Sequence, residues 1–483
     1  MSHLSERCQQ FLTENGTSVY QLSKTSGLDR ASLHRLVTGK RIPTLEFLTK
    51  FCSAMRLNQA DIRELMALYE EAHAGPIVYR NRQLIHQILF NLSDLTKDSG
   101  DPSAPISGDP AADIFPLPAQ AHTSLQTRAL IEQFLDNVFK NPATDGEILT
   151  NVPLGRMELL PVVYNLHKRY PKEVRLRHLF YFSSNPSLAD ESNPNLEIIK
   201  WILPMALTNF DSYEPCYTYL KASKNDMEML LWPYYLISGD TAVVVSASLQ
   251  AAIVHRDPGT VAMYRQEMEA LLSHSKPLLI STHTLQDSLD FYNGFFSKEN
   301  PLTGVVEYQP CLSPFVPLEY YEQFVQKVTA AEAPDSSSAF SLFLRGPHFP
   351  QKSATFYFSR EGLQSFCETG KLLGQYGTYL PSLSIPDRRR CLEQFCSSYR
   401  DTGCVRLLRG NLQIPVNLNI ELYRHSTILF MVFEEDYRIR FVSISESSLY
   451  ESFLDFFHSL EEPYYSYSPE ETLEEVRQAL HSL

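Results

Sequence analysis

Four basic side chains within a dozen positions are the residues of this sequence whose types and spacing point most directly to chemistry. They are Arg30, Arg35, Lys40 and Arg41, in a chain of 483 residues with a formal net charge of -14. Between residues 24 and 56, seven cations stand against two carboxylates, so this segment carries +5 and the rest of the chain -19. Because guanidinium and ammonium groups bind phosphate, the segment suits a polyanionic partner and the acidic remainder does not.

Two short helices joined by a tight turn must position these cations. Apolar spacing predicts the first helix from about Ser18 to Thr25, followed by a turn at Gly27. Asp29 is a typical N-cap and Gly39 a typical C-terminal stop, so a second helix is predicted between them. The pattern indicates a helix-turn-helix.

The second helix has one apolar stripe and one polar face. At about 100° per residue, the stripe holds Leu33, Leu36 and Val37. The opposite face holds Ala31, His34, Arg35 and Thr38, with Arg30 at the N-terminal tip. The face predicted to point outward is therefore short, polar and basic.

The stretch SVYQLSKTSGLDRASLHRLVTGKRIPTLEFLTKFCSAMRL resembles, without a gap, the λ-repressor/Cro-like (XRE) helix-turn-helix family. The family's structural positions are occupied by Leu22, Gly27, Leu28, Leu33, Gly39 and Pro43. The resemblance covers about the first 70 residues. Val19 stands where the family often has a polar residue near the phosphate backbone, and Val37 replaces a common glutamate. We expect Val37 to add to the core.

The resemblance implies which residues contact DNA, because in that family the second helix lies in the major groove. It implies that base edges are read from the second helix by Arg30, Ala31, Ser32, His34 and Arg35. It implies that phosphates are held by Ser18, Thr38, Lys40 and Arg41. The implied partner is double-stranded DNA, bound by a homodimer, because one motif reads too few base pairs to be specific.

The length and composition indicate several globular domains, with 43% hydrophobic and 20% charged residues. The expected fold class is an all-α N-terminal helix-turn-helix domain followed by a mixed α/β (α+β) regulatory body. The predicted bounds are 1–72 for the helix-turn-helix domain and 73–124 for a connecting helix and a Pro/Gly/Ser-rich linker. A mixed α/β sensor domain is predicted at 125–330 and an α+β C-terminal domain at 339–483.

Local patterns predict several elements of that body. Asp257-Pro258 indicates the start of one helix, and Ser468-Pro469-Glu470-Glu471 the start of another. The segments NLNIELYR and YRIRFVSI alternate with period two, which predicts half-buried strands. Between them, TILFMVF is apolar on both faces, as expected of a central strand.

The apolar runs are too short to span a bilayer, and the N-terminus lacks the pattern of a secretory signal. We therefore expect no membrane association and a cytoplasmic location. The eight cysteines are scattered, which predicts reduced thiols and no metal or cofactor site.

No segment after residue 125 carries a catalytic signature on which an activity could be built. His274 to Lys276 is similar to the start of the phospholipase-D-like His-x-Lys motif, but Ser281 occupies the position of its aspartate. The basic run HKRYPKEVRLRH, from His167, predicts a solvated loop and strand edge, with an anionic ligand as the alternative.

The sequence therefore predicts a sequence-specific DNA-binding transcriptional regulator, not an enzyme, whose body dimerises and binds a small-molecule effector. Two alternatives remain. In one, an enzyme is tethered to DNA by its helix-turn-helix; in the other, a degenerate motif serves only protein contacts.

Overall fold

The structure is a computed structural model, and it describes most of the chain. The described residues are 2–97, 116–142, 146–170, 174–184, 192–207, 212–220, 231–281, 287, 291, 301–329, 354–374, 378, 380–410, 412–434 and 439–483. They form two compact units. The first holds the described residues up to Gln83, with Ser192 and Asn193, and the second holds the others.

The first unit is entirely helical in its described residues. Its helices are α1 His3–Glu14, α2 Val19–Ser26, α3 Arg30–Val37, α4 Leu45–Met55, α5 Gln59–Ala74 and the start of α6 Pro76–Lys97. Leu4, Phe11, Leu33, Leu48 and Phe51 are all buried, so the apolar stripes of α1, α3 and α4 supply its core. The predicted helix-turn-helix is confirmed.

The second unit contains two mixed sheets flanked by helices. Its helices, beyond the last part of α6, are α7 Ser124–Lys140, α8 Leu160–Arg169, α9 Pro194–Ala206, α10 Pro258–Ser273, α11 Leu318–Thr329, α12 Arg360–Thr369, α13 Ile385–Tyr399, α14 Ser447–Ser459 and α15 Pro469–His481. The expected fold class, an all-α helix-turn-helix domain followed by an α+β body, is confirmed.

The first sheet has eight strands among the described residues. They are β1 Gln120–Ala121, β2 Glu147–Thr150, β3 Arg175–Ser183, β4 Tyr213–Leu220, β5 Tyr234–Ser238, β6 Thr241–Val245, β7 Ala252–His255 and β8 Lys276–Pro277. Their order across the sheet is β1-β7-β6-β5-β2-β3-β4-β8. Strands β2, β3 and β4 are parallel, and the other neighbours are antiparallel.

The second sheet has seven strands among the described residues. They are β9 Leu279–Ser281, β10 Leu302–Glu307, β11 Thr355–Phe358, β12 Val405–Leu407, β13 Leu418–Tyr423, β14 Thr427–Phe433 and β15 Ile439–Ile444. Their order is β9-β15-β14-β13-β10-β11-β12, with β10, β11 and β12 parallel and the other neighbours antiparallel.

The two sheets repeat one topology. Strands β1 to β7 lie in the order 1-7-6-5-2-3-4, and β9 to β15 lie in the corresponding order. Helices follow the second, third and seventh strands in both sets. We call β1 to β7 with their helices the first copy, and β9 to β15 with theirs the second copy.

The prediction that β13 and β15 are half-buried was wrong. Asn419 and Glu421 on β13, and Arg440 on β15, are all at least 94% buried. The cause is that apolar residues and helices cover both faces: Ile420 of β13 packs in the cluster that contains Phe453 of α14, and Tyr423 of β13 packs in the cluster that contains Phe395 of α13. The central strand β14 is buried along its length, as predicted.

One of the predicted domain boundaries can be located relative to the described strands. The boundary between residues 330 and 339 falls between β10 and β11, which are parallel neighbours in one sheet. The bounds themselves stay a prediction, and most of the Pro/Gly/Ser-rich linker lies outside the described residues.

None of the helices in the described part of the chain combines the length and hydropathy needed to cross a bilayer.

Candidate nucleic-acid interface

Helix α2 begins and ends at capping residues that set its place before the turn. The Ser18 hydroxyl accepts a hydrogen bond from the Gln21 amide at 3.2 Å, and the Gln21 side chain accepts from the Ser18 amide at 3.0 Å. This reciprocal pair is a capping box. Gly27, with φ of 75°, ends the helix in the left-handed region, where glycine is favoured.

Helix α3 is fixed by caps at both ends. The Asp29 carboxylate accepts from the Ser32 amide at 2.7 Å, and hydrogen bonds from the Ser32 hydroxyl and amide lower the pKa of Asp29. At the other end, Gly39 has φ of 67°, and the Lys40 amide donates to the Arg35 carbonyl at 3.0 Å. These bonds satisfy terminal backbone groups, so α3 has a defined length and register.

The inner side of α3 is fully buried. Leu33, Leu36 and Val37 pack beneath it, together with Leu22 of α2 and Leu28 of the turn. The expectation that Val37 adds to the core is confirmed. Because this stripe fixes the rotation of the helix, the other side must face outward.

The predicted base-reading residues lie together on that outward side. Arg30, Ala31, His34 and Arg35 are exposed, and Ser32 is half-buried. The Arg35 guanidinium donates to the Ala31 carbonyl and to the Ser32 hydroxyl, each at 3.3 Å. The guanidinium therefore lies along its own helix, held by two bonds to neutral acceptors.

The predicted phosphate contacts divide into two kinds. Lys40 and Arg41 are exposed just after α3. Ser18 and Thr38 already serve as helix caps. Ser18 is the N-cap of α2, and Thr38 is the C-cap of α3, where its hydroxyl donates to the His34 carbonyl at 2.6 Å. A phosphate contact by Ser18 or Thr38 would have to coexist with its capping role.

The cations of this segment are largely uncompensated. Among the described residues, only Lys50 of the seven forms an ion pair, with Glu46 at 2.6 Å. The six that form none are Lys24, Arg30, Arg35, Lys40, Arg41 and Arg56. By contrast, Arg7 on α1 lies within 4 Å of three carboxylates. Uncompensated, exposed cations give a positive potential that attracts a polyanion.

One residue beside α3 was missed by the sequence reasoning. The Tyr20 side chain on α2 is 57% exposed, and the Arg30 guanidinium carbon lies 5.3 Å from the centre of its ring. A cation over an aromatic face at this distance is attracted to it, so Tyr20 restrains the tip of the outward face. The two residues are ten positions apart on different helices, and no local pattern pairs them.

Two other sequence candidates have ordinary structural surroundings. His274 lies at the C-terminus of α10, where its ring nitrogen contacts the Ala270 carbonyl at 2.8 Å. Arg175 and Arg177 on β3 pair with Glu214 and Glu269 at 2.9 Å. These partners neutralise the two arginines of the run HKRYPKEVRLRH that lie on β3, which favours the strand-edge interpretation for this part of the run. Within the described residues, no group of three His, Cys, Asp or Glu side chains could hold a metal ion.

Comparison with known proteins identifies the first unit. Residues 8–67 match the family model of the Cro/C1-type HTH DNA-binding domain. This match confirms the resemblance seen in the sequence and spans α2, the turn and α3. No curated protein and no solved structure matches the chain. The N-terminal segment is thus a DNA-binding domain, and the individual roles of its nine candidate residues stay predictions.

Proposed function

We propose that this protein is a sequence-specific transcriptional regulator that binds DNA as a homodimer and responds to a small-molecule effector. The observation that carries the proposal is the outward side of α3. It is rigidly capped, polar and basic, and it lies within a Cro/C1-type HTH domain. A side chain such as Arg35 can reach a guanine edge from a helix in the major groove.

The length of helix α3 supports the homodimer. Helix α3 has eight residues, which span about 12 Å, and B-DNA rises about 3.4 Å per base pair. One copy therefore covers only three or four base pairs, too few to find a site among the competing sequences of a genome. Two copies on adjacent half-sites would double the sequence that is read.

The size of the second unit supports an effector. It accounts for most of the 483 residues, and reading DNA requires only the first unit.

All eight cysteines are free thiols, which suits a protein working on DNA in the reducing cytoplasm.

Sedimentation of the full chain and a thermal-shift screen of metabolites test these two parts. We expect a dimer, and at least one metabolite that raises the unfolding temperature. A ligand at a hundred times its Kd stabilises the folded state by about 2.7 kcal/mol. A monomer on operator DNA would overturn the homodimer. A broad screen without a shift, together with turnover of any substrate, would favour an enzyme instead.

A further inference from the structure

The repeated topology makes the two copies comparable position by position. In the first copy, Thr150 at the end of β2 lies opposite Leu236 of β5. In the second copy, Glu307 at the end of β10 lies opposite Asn419 of β13. The equivalent pairs are thus Thr150 with Leu236, and Glu307 with Asn419.

The next position on the same face also differs between the copies. Two residues along from Asn419, on the same side of β13, is Glu421, and its equivalent on β5 is Ser238. The second copy therefore has two carboxylates and an amide where the first has two hydroxyls and a leucine. All three side chains of the second copy are buried, with 2% to 6% exposed.

In the first copy these positions satisfy their own hydrogen bonds. The Thr150 hydroxyl donates to the Tyr235 carbonyl at 2.9 Å, and the Ser238 hydroxyl donates to the Glu147 carbonyl at 2.7 Å. Both partners are backbone carbonyls of neighbouring strands, so both hydroxyls of the first copy already have a partner within the protein.

The second copy leaves acceptors without partners. Glu307 Oε1 and Asn419 Oδ1 are buried and have no hydrogen-bond partner within the described part of the chain. Glu421 accepts from the Tyr423 hydroxyl. Burial, and then the neighbouring Glu421 carboxylate, raise the pKa of Glu307 well above its ordinary value, although a hydrogen bond from the Cys311 backbone acts in the opposite direction. Two ionised carboxylates side by side in this position are costly, because charge in a protein interior needs a compensating partner.

We propose that Glu307, Asn419 and Glu421 bind one hard divalent cation, of which Ca²⁺ fits best. The acceptor atoms of these three side chains are all oxygens, and carboxylate and amide oxygens are the ligands that Ca²⁺ takes. Two carboxylates match its double charge. The site is at the carboxyl end of β10, where antiparallel β13 and parallel β11 flank one strand. Open α/β sheets commonly bind ligands at such strand ends.

Equilibrium dialysis of the full chain, stripped with a chelator and then exposed separately to CaCl₂ and MgCl₂, tests the proposal. We expect one Ca²⁺ per chain, weaker binding of Mg²⁺, and a higher unfolding temperature with Ca²⁺. Glu307→Gln removes one charge at constant size, and Asn419→Leu installs the residue of the first copy. Each should weaken Ca²⁺ binding by more than about tenfold. Glu451→Gln, at an exposed position of α14, is the matched control and should bind as the parent chain does.

Two results would overturn the proposal. One is a parent chain that takes up neither cation at millimolar concentration, which would mean that Glu307 carries a proton instead. The other is a Glu307→Gln or Asn419→Leu chain that binds Ca²⁺ as tightly as the parent. Since dialysis of the parent chain requires no variant, a substitution that prevents folding leaves the decision intact. The result is also independent of DNA binding, which the first unit performs.

Discussion

Arg35 is the residue most directly suited to reading a base. Its guanidinium lies along the outward side of α3, held by two neutral acceptors that it can exchange for the two acceptors of a guanine. Arg35→Ala should therefore cost about 1–3 kcal/mol on the preferred site and far less on random DNA. Salt titrations on specific and scrambled duplexes measure both losses. If Arg35→Ala kept the parent chain's ratio of affinity for the specific site to affinity for random DNA, Arg30 or His34 would become the better candidate for reading the base.

We expect a different role for Lys40, because it lies beyond Gly39 and should reach only the sugar-phosphate backbone of the DNA. Lys40→Ala should weaken specific and random DNA about equally, and should reduce the slope of log K against log salt by about one. Lys50→Ala is the matched control, since the Lys50 ammonium already pairs with Glu46. Equal effects from both lysines in the same titration would contradict this distinction.

His178 makes the second unit sensitive to acid. Its Nε2 lies 3.0 Å from the Val152 carbonyl and therefore carries the proton, while Nδ1 accepts from the Tyr213 hydroxyl. Burial lowers the pKa of His178 from 6.5 to about 4. Between these two values the unfolded chain binds the extra proton and the folded chain does not, so stability falls as the pH falls from about 6.5 to 4.

The expected loss from this histidine is about 3 kcal/mol over that interval. Urea unfolding of the full chain at pH 7, 6, 5 and 4 measures it. His178→Gln offers a donor and an acceptor without titrating, so its stability should depend less on pH over the same range. Parallel pH profiles for the parent and the variant would show that another group dominates.

At the scale of elements, the turn after α3 depends on one glycine. Gly39 has φ of 67°, a conformation that costs a residue with a Cβ roughly 1–2 kcal/mol. Gly39→Ala should lower the thermal stability of the first unit, and should weaken DNA binding because Lys40 and Arg41 follow directly. Gly39→Asn should be milder, since asparagine tolerates this region better. Equal unfolding temperatures for the two variants would argue against a backbone cause.

Elements that depend on neighbouring residues could be predicted from the sequence. The caps at Asp29, Asp257 and Ser468 each sit beside the helix they begin, and the structure confirms all three. The burial of Asn419 and Glu421 could not be predicted, because alternation shows only that a strand has two kinds of face. Whether helices cover both faces depends on contacts far away in the chain. The pairing of Tyr20 with Arg30 was missed for the same reason.

At the scale of the whole molecule, the first unit is basic and the second unit is acidic. Residues 1–83 hold 11 basic and 8 acidic residues, a net charge of +3, whereas residues 84–483 hold 31 basic and 48 acidic residues, a net charge of -17. An acidic body is repelled by DNA, so the chain should approach the duplex with its first unit. The composition predicted this division, whereas the two copies in the body became visible only when the strands were paired.

The central claim is that α3 reads specific DNA sequences as one of a pair. The most direct measurement is a genome-wide footprint with the purified full chain, repeated with Arg35→Ala. We predict discrete protected sites, each containing two related half-sites about one helical turn apart, and loss of their selectivity in the variant. Protection spread evenly over the DNA, or absent at moderate salt, would contradict the account.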